Sequence, residues 1–353
     1  MPFVLAVEID GGGAHPAAWR TVVPPDALVG PRHLRHVAEV AERAGFTLVT
    51  IDDDLLPPEA GPGRIGAVER AGFVAAATSV LGVAPVVSTT YSEPFHVSTQ
   101  LASVDHIASG RAGWVVGASA RPEAAAAWGR ATADPLQEAV DAVRVVRALW
   151  DSWEDDAVVR DVATGRYLDR DRLHYVDFTG ATYSIKGPAI VPRPPQGQPV
   201  VIAPRGLVAD AEVDVALVGG ADVDAVRRAA AASGTPLAFA ELEVALDTDT
   251  RDGAERVAQL DAYASWPSSG RLRYTGGPNG LTILLRDLAA AGLHGVRIHP
   301  LVLGEDLAVL SRFVVPALVR AGLVARPRPG TTLRATLGLP RPQSRFTATG
   351  GRA

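Results

Sequence analysis

The chain contains no cysteine in 353 residues. That excludes disulfides, thiolate catalysis and zinc–thiolate sites. Lysine is almost as scarce. Lys186 is the single lysine among 34 basic residues, and we read the richness in arginine and alanine as the imprint of a GC-rich genome. No uninterrupted apolar run reaches the roughly 18 residues of a membrane-spanning helix. The start, MPFVLAVEIDGGG, lacks a basic segment and meets Glu8 and Asp10 too early for a signal peptide. A cytoplasmic protein is therefore expected. The net charge of −5 gives no reason to expect nucleic acid or a membrane as partner.

Hydrophobic residues make up 47% of the chain, enough for a large core. Apolar runs predict eight strands, near 3–9, 47–51, 84–89, 113–117, 199–203, 214–218, 237–246 and 295–299. Between most of them lie amphipathic helices. In the first, at 32–44, Leu34, Val37, Ala38 and Ala41 form the apolar stripe and Gly45 ends it. Others are expected at 136–150, 281–291 and 307–321. Alternating strands and helices imply a parallel sheet, and eight repeats suggest closure into a (β/α)8 barrel, with a doubly wound open sheet as the alternative. Residues 151–198 break the rhythm. Their charge, Gly, Pro and polar–aromatic alternation read as an insertion with a hairpin between strands four and five. The barrel is expected to span 1–324, and 325–353 reads as an extended arm ending in a disordered tail.

The stretch STTYSEPFHVSTQLASVDHIASGRAGW, from Ser88 to Trp114, carries the sharpest pattern. An apolar strand ends in hydroxyl residues, Pro94 opens a helix, Val97, Leu101, Val104 and Ile107 recur at helical spacing, and Gly110 closes it. This stretch resembles the luciferase-like, flavin-dependent monooxygenases. The branch is that of nitrilotriacetate, alkanesulfonate and dibenzothiophene-sulfone monooxygenases. Three further segments agree: LWDSWEDDAVVRD, the run from Tyr183 to Gly197, and GTTLRATLGLPRP. The resemblance implies a single luciferase-like (β/α)8 TIM barrel. It also implies a two-component monooxygenase that acts on a small organic substrate with O2 and reduced FMN from a separate flavin reductase. A homodimer is expected, with the C-terminal arm crossing the partner.

A parallel barrel places its site at the C-terminal ends of the strands. The resemblance implies that Ser88, Thr89, Thr90 and the strand-four end (Val115, Gly117, Ser119) line the flavin ring. Asp53 matches the family's acidic residue after strand two, and Arg205 with Gly206 would meet the phosphate. The sequence also departs from the branch. Trp114-Val115 stands for Trp-Asn, Thr132 and Leu136 stand for a His–Tyr pair, and VVIAPRG replaces a Gly-Ser-Ser turn. The region between strands seven and eight is shortened. These losses keep open a deazaflavin-dependent hydride-transfer enzyme, or a degenerate member that binds a ligand or partner without turnover.

The remaining candidates have plainer readings. His299 and His96 are the candidate catalytic bases, His299 at the end of strand eight and His96 in the first turns of a helix. Asp52-Asp53-Asp54 has the chemistry of a divalent-cation site, but adjacent residues point apart, so no metal is expected. Gly11-Gly12-Gly13 lacks phosphate-loop spacing and reads as a flexible loop. Asp105-His106 sits where a helix ends. Trp114, Trp150 and Trp153 read as packing.

Overall fold

The structure is a computed structural model and describes residues 2–131 and 134–346. Eight parallel strands form the barrel: β1 (Val4–Glu8), β2 (Leu48–Ile51), β3 (Gly82–Ser88), β4 (Gly113–Gly117), β5 (Val200–Pro204), β6 (Val215–Val218), β7 (Leu237–Leu246) and β8 (Gly295–Pro300). Each pairs with its sequence neighbours, β1 pairs with β8, and the β6–β7 pairing completes the ring. All eight strands fall where the apolar runs predict them. An additional strand, Leu272–Gly276, was not foreseen. It pairs with the outer half of β7, which at ten residues is longer than the barrel wall and leaves the ring at its C-terminal end.

Alternate strand positions point into the barrel. The interior is filled by Val4, Ala6, Leu48, Ala84, Val86, Val115, Val200, Ile202, Val215, Leu217, Leu237 and Phe239. The opposite faces carry the helices. Helix α1 (Pro31–Ala44) buries Val37, Ala38 and Ala41, the stripe its spacing predicts, and Gly45 ends it at φ +102°. Helix α2 (Ala67–Ala77) follows β2, and α3 (Pro94–Ile107) follows β3 with Glu93 as N-cap. Trp114 is fully buried, its indole nitrogen donates to Val87 O at 3.2 Å, and Trp150 meets it edge-on. These tryptophans are packing. Between α4 (Pro135–Asp151) and β5 lie two hairpins, Val158–Asp161 with Arg166–Leu168 and Val176–Thr179 with Ser184–Gly187. No helix stands between β5 and β6, only the short 3-10 turn Asp210–Glu212.

The C-terminal arm closes the floor. Its short helix, Leu333–Thr336, places Leu333 and Leu337 in the interior cluster, and Leu333 N donates to Gly110 O at 2.8 Å. A Cβ on Gly82 would come 2.8 Å from Leu333, so glycine there makes room for the plug. Arg334 donates to Gln198 O at 2.7 Å and pairs with Asp214 at 2.7 Å. Further out, Arg341 and Arg193 clasp Asp155 at 2.6 and 3.1 Å, which holds its carboxyl down at about 2. The described arm is spent on its own barrel, because the barrel floor is apolar and otherwise open.

Gly11-Gly12-Gly13 also differs from its reading. A Cβ on Gly12 would lie 2.8 Å from Trp19 N, and one on Gly13 2.4 Å from Leu301 O. The loop is close-packed, and glycine is needed for backbone approach. Thr132 lies outside the described residues, and Leu136 is an exposed residue of the first turn of α4.

Leu333→Ala should cost about 2–5 kcal/mol in urea unfolding, the usual range for emptying a buried leucine site. The loss should not vary with protein concentration. A concentration-dependent loss would place the arm on another copy.

Candidate active site

Above the apolar layer the same inward positions turn polar. Glu8 follows Val4 and Ala6 in β1, Thr50 follows Leu48 in β2, and Glu241 and Glu243 follow Leu237 and Phe239 in β7. Arg297 and His299 continue the inward face of β8. Strand geometry therefore stacks a charged layer directly on the core. Arg297 lies at its centre, 5% exposed. Its guanidinium bonds to Glu8, donates to Thr50 Oγ1 at 2.8 Å and to Glu241 Oε1 at 3.2 Å. Glu8 also accepts from Thr50 Oγ1 at 2.8 Å and from Asp52 N at 2.9 Å. His299 Nε2 meets Glu241 Oε2 at 2.5 Å.

The segment before the additional strand completes the layer. Arg271 donates to Glu241 at 3.1 Å and to Glu243 at 3.4 Å. Arg273 donates to Glu243 at 2.7 Å and stacks 3.8 Å over the Trp266 ring. Ser269 Oγ donates to Glu243 at 2.6 Å.

Burial would raise the Glu8 and Glu241 carboxyls, but Arg297 foremost and His299 next overcome it, and both sit below the usual carboxylate range. His299 is pushed down, first by burial, although Glu241 opposes this, and Arg297 pushes the same way. Asp52 goes the other way. Loss of hydration and then the Glu8 charge push its carboxyl up to about 7.

Two cavities open at this end of the barrel. The larger, about 530 Å³, is lined by Asp52, Asp53, Asp54, Val86, Ser88, Val115, Gly117, Ser119, Pro204, Arg271 and Arg297. The second, about 400 Å³, lies beside it over β5–β7 and shares Pro204, Arg271 and Arg297. Arg205 lines the second cavity and forms no ion pair among the described residues.

The mouth thus gathers Asp53, Ser88, Val115, Gly117 and Ser119 from the sequence candidates. Asp53 also caps α2, accepting from Ala67 N at 2.7 Å. Thr89 and Thr90 are buried beside it with committed hydroxyls. Thr89 donates to Gly117 O at 3.0 Å, and Thr90 accepts from Ser119 N at 3.1 Å. They knit the β3 and β4 loops together. Gly206 is exposed at φ +84° and lines neither cavity. His96 is exposed, with its backbone N–H held by Glu93 at 2.8 Å, and lines neither cavity. His299 is 3% exposed, lines neither cavity and is engaged with Glu241. Asp105 accepts from Gln196 Nε2 at 2.6 Å and Ala112 N at 3.1 Å, a structural anchor for the start of β4.

The sequence reading missed Arg297, Glu241, Glu243, Arg271 and Arg273. A signal was present for three of them. Glu241 and Glu243 stand two apart in an otherwise apolar ten-residue run, and Arg297 and His299 stand two apart in β8. A charge repeated every second residue in a buried strand marks one inward face. Arg271 and Arg273 also stand two apart, but outside any apolar run, so the spacing alone marks no buried face; Arg273 lies in the additional strand and Arg271 just before it.

Comparison with known proteins gives a match to the luciferase-like monooxygenase family over residues 4–273. N-acetyl-S-(2-succino)cysteine monooxygenase of Bacillus subtilis (strain 168) is 37% identical over 207 residues, 56% of this chain and 47% of that protein. Dibenzothiophene-sulfone monooxygenase of Rhodococcus erythropolis is 35% identical over 214 residues, 54% of this chain and 47% of that one. The chain spans about half the length of these curated relatives. Among solved structures, EDTA monooxygenase from Chelativorans sp. BNC1 superposes with a TM-score of 0.82 at 21% identity, covering 97% of this chain and 99% of that one. That likeness supports the fold.

Arg297→Met should cost about 3–5 kcal/mol at neutral pH, because it leaves two buried carboxylates without their shared cation. Glu8 and Glu241 are held low, so their contribution is complete above about pH 4.3 and is lost as the pH falls towards their folded values. Urea unfolding across that range should show the acid loss in the native chain and a shrinking deficit in the variant.

Proposed function

The chain belongs to the luciferase-like monooxygenase family, and we propose from that premise that it is a flavin-dependent monooxygenase whose ring site is the barrel mouth. The supporting observation is the cavity of about 530 Å³, apolar at Val86 and Val115, with the glutamate-paired Arg271 and Arg297 on one side and Asp52, Asp53 and Asp54 on another. Its size is that of a small-molecule pocket. An isoalloxazine ring fits this lining. Val86 and Val115 would carry its face, Ser88 and Ser119 would meet its polar edge, and Arg271 and Arg297 would place positive charge beside its electron-rich end. Arg205, uncommitted at the rim of the adjoining cavity, would hold the phosphate by charge-assisted hydrogen bonds.

Reduced FMN, when bound, supplies the activation of O2. The protein positions the ring and screens its floor from water, since the layer beneath is closed by the Arg297 network and the arm below that. The substrate in this reading is a small organic molecule, and the partners are a flavin reductase and a second copy of the chain. A second reading, a member that holds a ligand without turnover, is favoured by two observations. The Thr89 and Thr90 hydroxyls are already used, and no helix N-terminus follows β5 to receive a phosphate.

Anaerobic titration with reduced FMN and with reduced deazaflavin separates these readings. We expect saturable FMN binding in preference to deazaflavin. Arg205→Ala should weaken FMN about tenfold, the worth of a charge-assisted bond, and leave riboflavin unchanged. Binding of neither cofactor in either redox state would overturn the proposal.

A further inference from the structure

We propose that Asp52 is the residue through which the barrel mouth exchanges a proton with its occupant. The inference rests on the reading of the mouth as the reacting site and adds a residue to it. Its ground is the arrangement of charge around this side chain. Asp52 follows β2 and lines the larger cavity together with Ser88, Arg271 and Arg297. Its Oδ1 accepts from Asp53 N at 3.0 Å, and its Oδ2 has no hydrogen-bond partner among the described residues. The backbone fixes its position on both sides, with Asp52 N donating to Glu8 Oε1 at 2.9 Å and Arg70 donating to Asp52 O at 2.6 Å.

Every cation near it is committed to another carboxylate. Arg297 from β8 lies between Glu8 and Glu241. Arg271 lies between Glu241 and Glu243. Arg70 from α2 is paired with Asp10, and Arg64 stands 3.5 Å from Asp10 and 3.7 Å from Asp53. Arg121, across the cavity, pairs with Asp54. Asp52 forms no ion pair of its own among the described residues; Glu8 and Asp10 push its carboxyl up, while the more distant charges of Arg297 and Arg64 push it down without overcoming the lost hydration. The side chain is open to the cavity, yet it stands among the barrel walls closely enough that lost hydration is the largest cause of its raised pKa.

The consequence is a carboxyl that changes charge near neutral pH inside the mouth, where Glu8 stays ionised. In the exchange, the Asp52 O–H bond breaks as a bond forms between the proton and an electron-rich nitrogen or oxygen of the occupant. The carboxylate then takes a proton back from water through the open mouth. The neutral form admits an electron-rich or anionic ligand, and the ionised form repels it. The histidines do not offer this. His299 is buried and engaged with Glu241, and neither it nor His96 lines the cavity.

Infrared difference spectra of the ligand-free protein test this without any flavin. We expect a protonated-carboxyl band that disappears between about pH 6 and 8 and is absent from Asp52→Asn. Asp52→Asn keeps both backbone bonds and the side-chain shape. FMN titrations form the second arm. The dissociation constant should be flat below about pH 7, rise about tenfold per pH unit above it, and lose that dependence in Asp52→Asn. Should the variant fail to fold, calorimetry of FMN binding to the native chain in two buffers of different ionisation enthalpy replaces it. Uptake of about one proton at pH 8 and of none at pH 6 is expected. A native carboxyl band unchanged by Asp52→Asn, equal pH dependence in both proteins, or no proton uptake at pH 8 would overturn the inference. Failure of FMN to bind at every pH would overturn the flavin reading instead, and the infrared arm would still decide Asp52.

Discussion

Arg297 held between Glu8 and Glu241 is the interaction on which the upper half of this barrel depends. Burying three charges is expensive, and the barrel meets that cost only because four strands deliver partners at bonding distance. Glu8 comes from β1, Thr50 from β2, Glu241 from β7 and Arg297 itself from β8. The register that aligns these strands is set lower down, where Val4, Leu48, Phe239 and their neighbours fill the core. The apolar layer therefore fixes the charged layer, and the charged layer fixes the mouth. Glu8 orients Asp52, and Glu241 orients both His299 and Arg271.

The opposite end is closed by different means. The C-terminal arm inserts Leu333 and Leu337 between strands that carry Gly82 and Gly113, and arginine pairs hold it there. One end is thus plugged by hydrocarbon and the other lined by charge. A ligand can enter from one side only. Two cavities meet at Arg271 and Arg297, which gives the mouth room for a ring and, beside it, for a second group.

Much of the architecture was legible in the sequence, since eight apolar runs and the stop at Gly45 follow from local periodicity. The short link between β5 and β6 was visible as a missing Gly-Ser-Ser turn. The chemistry was less legible. His299 and His96 drew attention because histidine titrates near neutrality, yet one is buried against Glu241 and neither lines a cavity. Asp52 was read with Asp53 and Asp54 as a run of like residues. Only the fold separates them: all three line the cavity, but Asp53 caps a helix, Asp54 pairs with Arg121, and Asp52 forms no ion pair among the described residues. Arg271 and Arg273 were hard to read because their two-residue spacing lies outside any apolar run, and only the pairing of the additional strand with β7 brings them to glutamates about thirty residues earlier. The arm's hydrophobic residues were visible, but nothing local tells whether a short apolar helix plugs its own barrel or a neighbour's.

The central claim is that the charged mouth is a flavin site. Crystals grown without ligand and soaked anaerobically with FMN test it most directly. The account predicts planar ring density over Val115, between Ser88 and Arg271, with the phosphate towards Arg205. A mouth still filled only with water at saturating FMN, or a flavin seated elsewhere on the barrel, would contradict it.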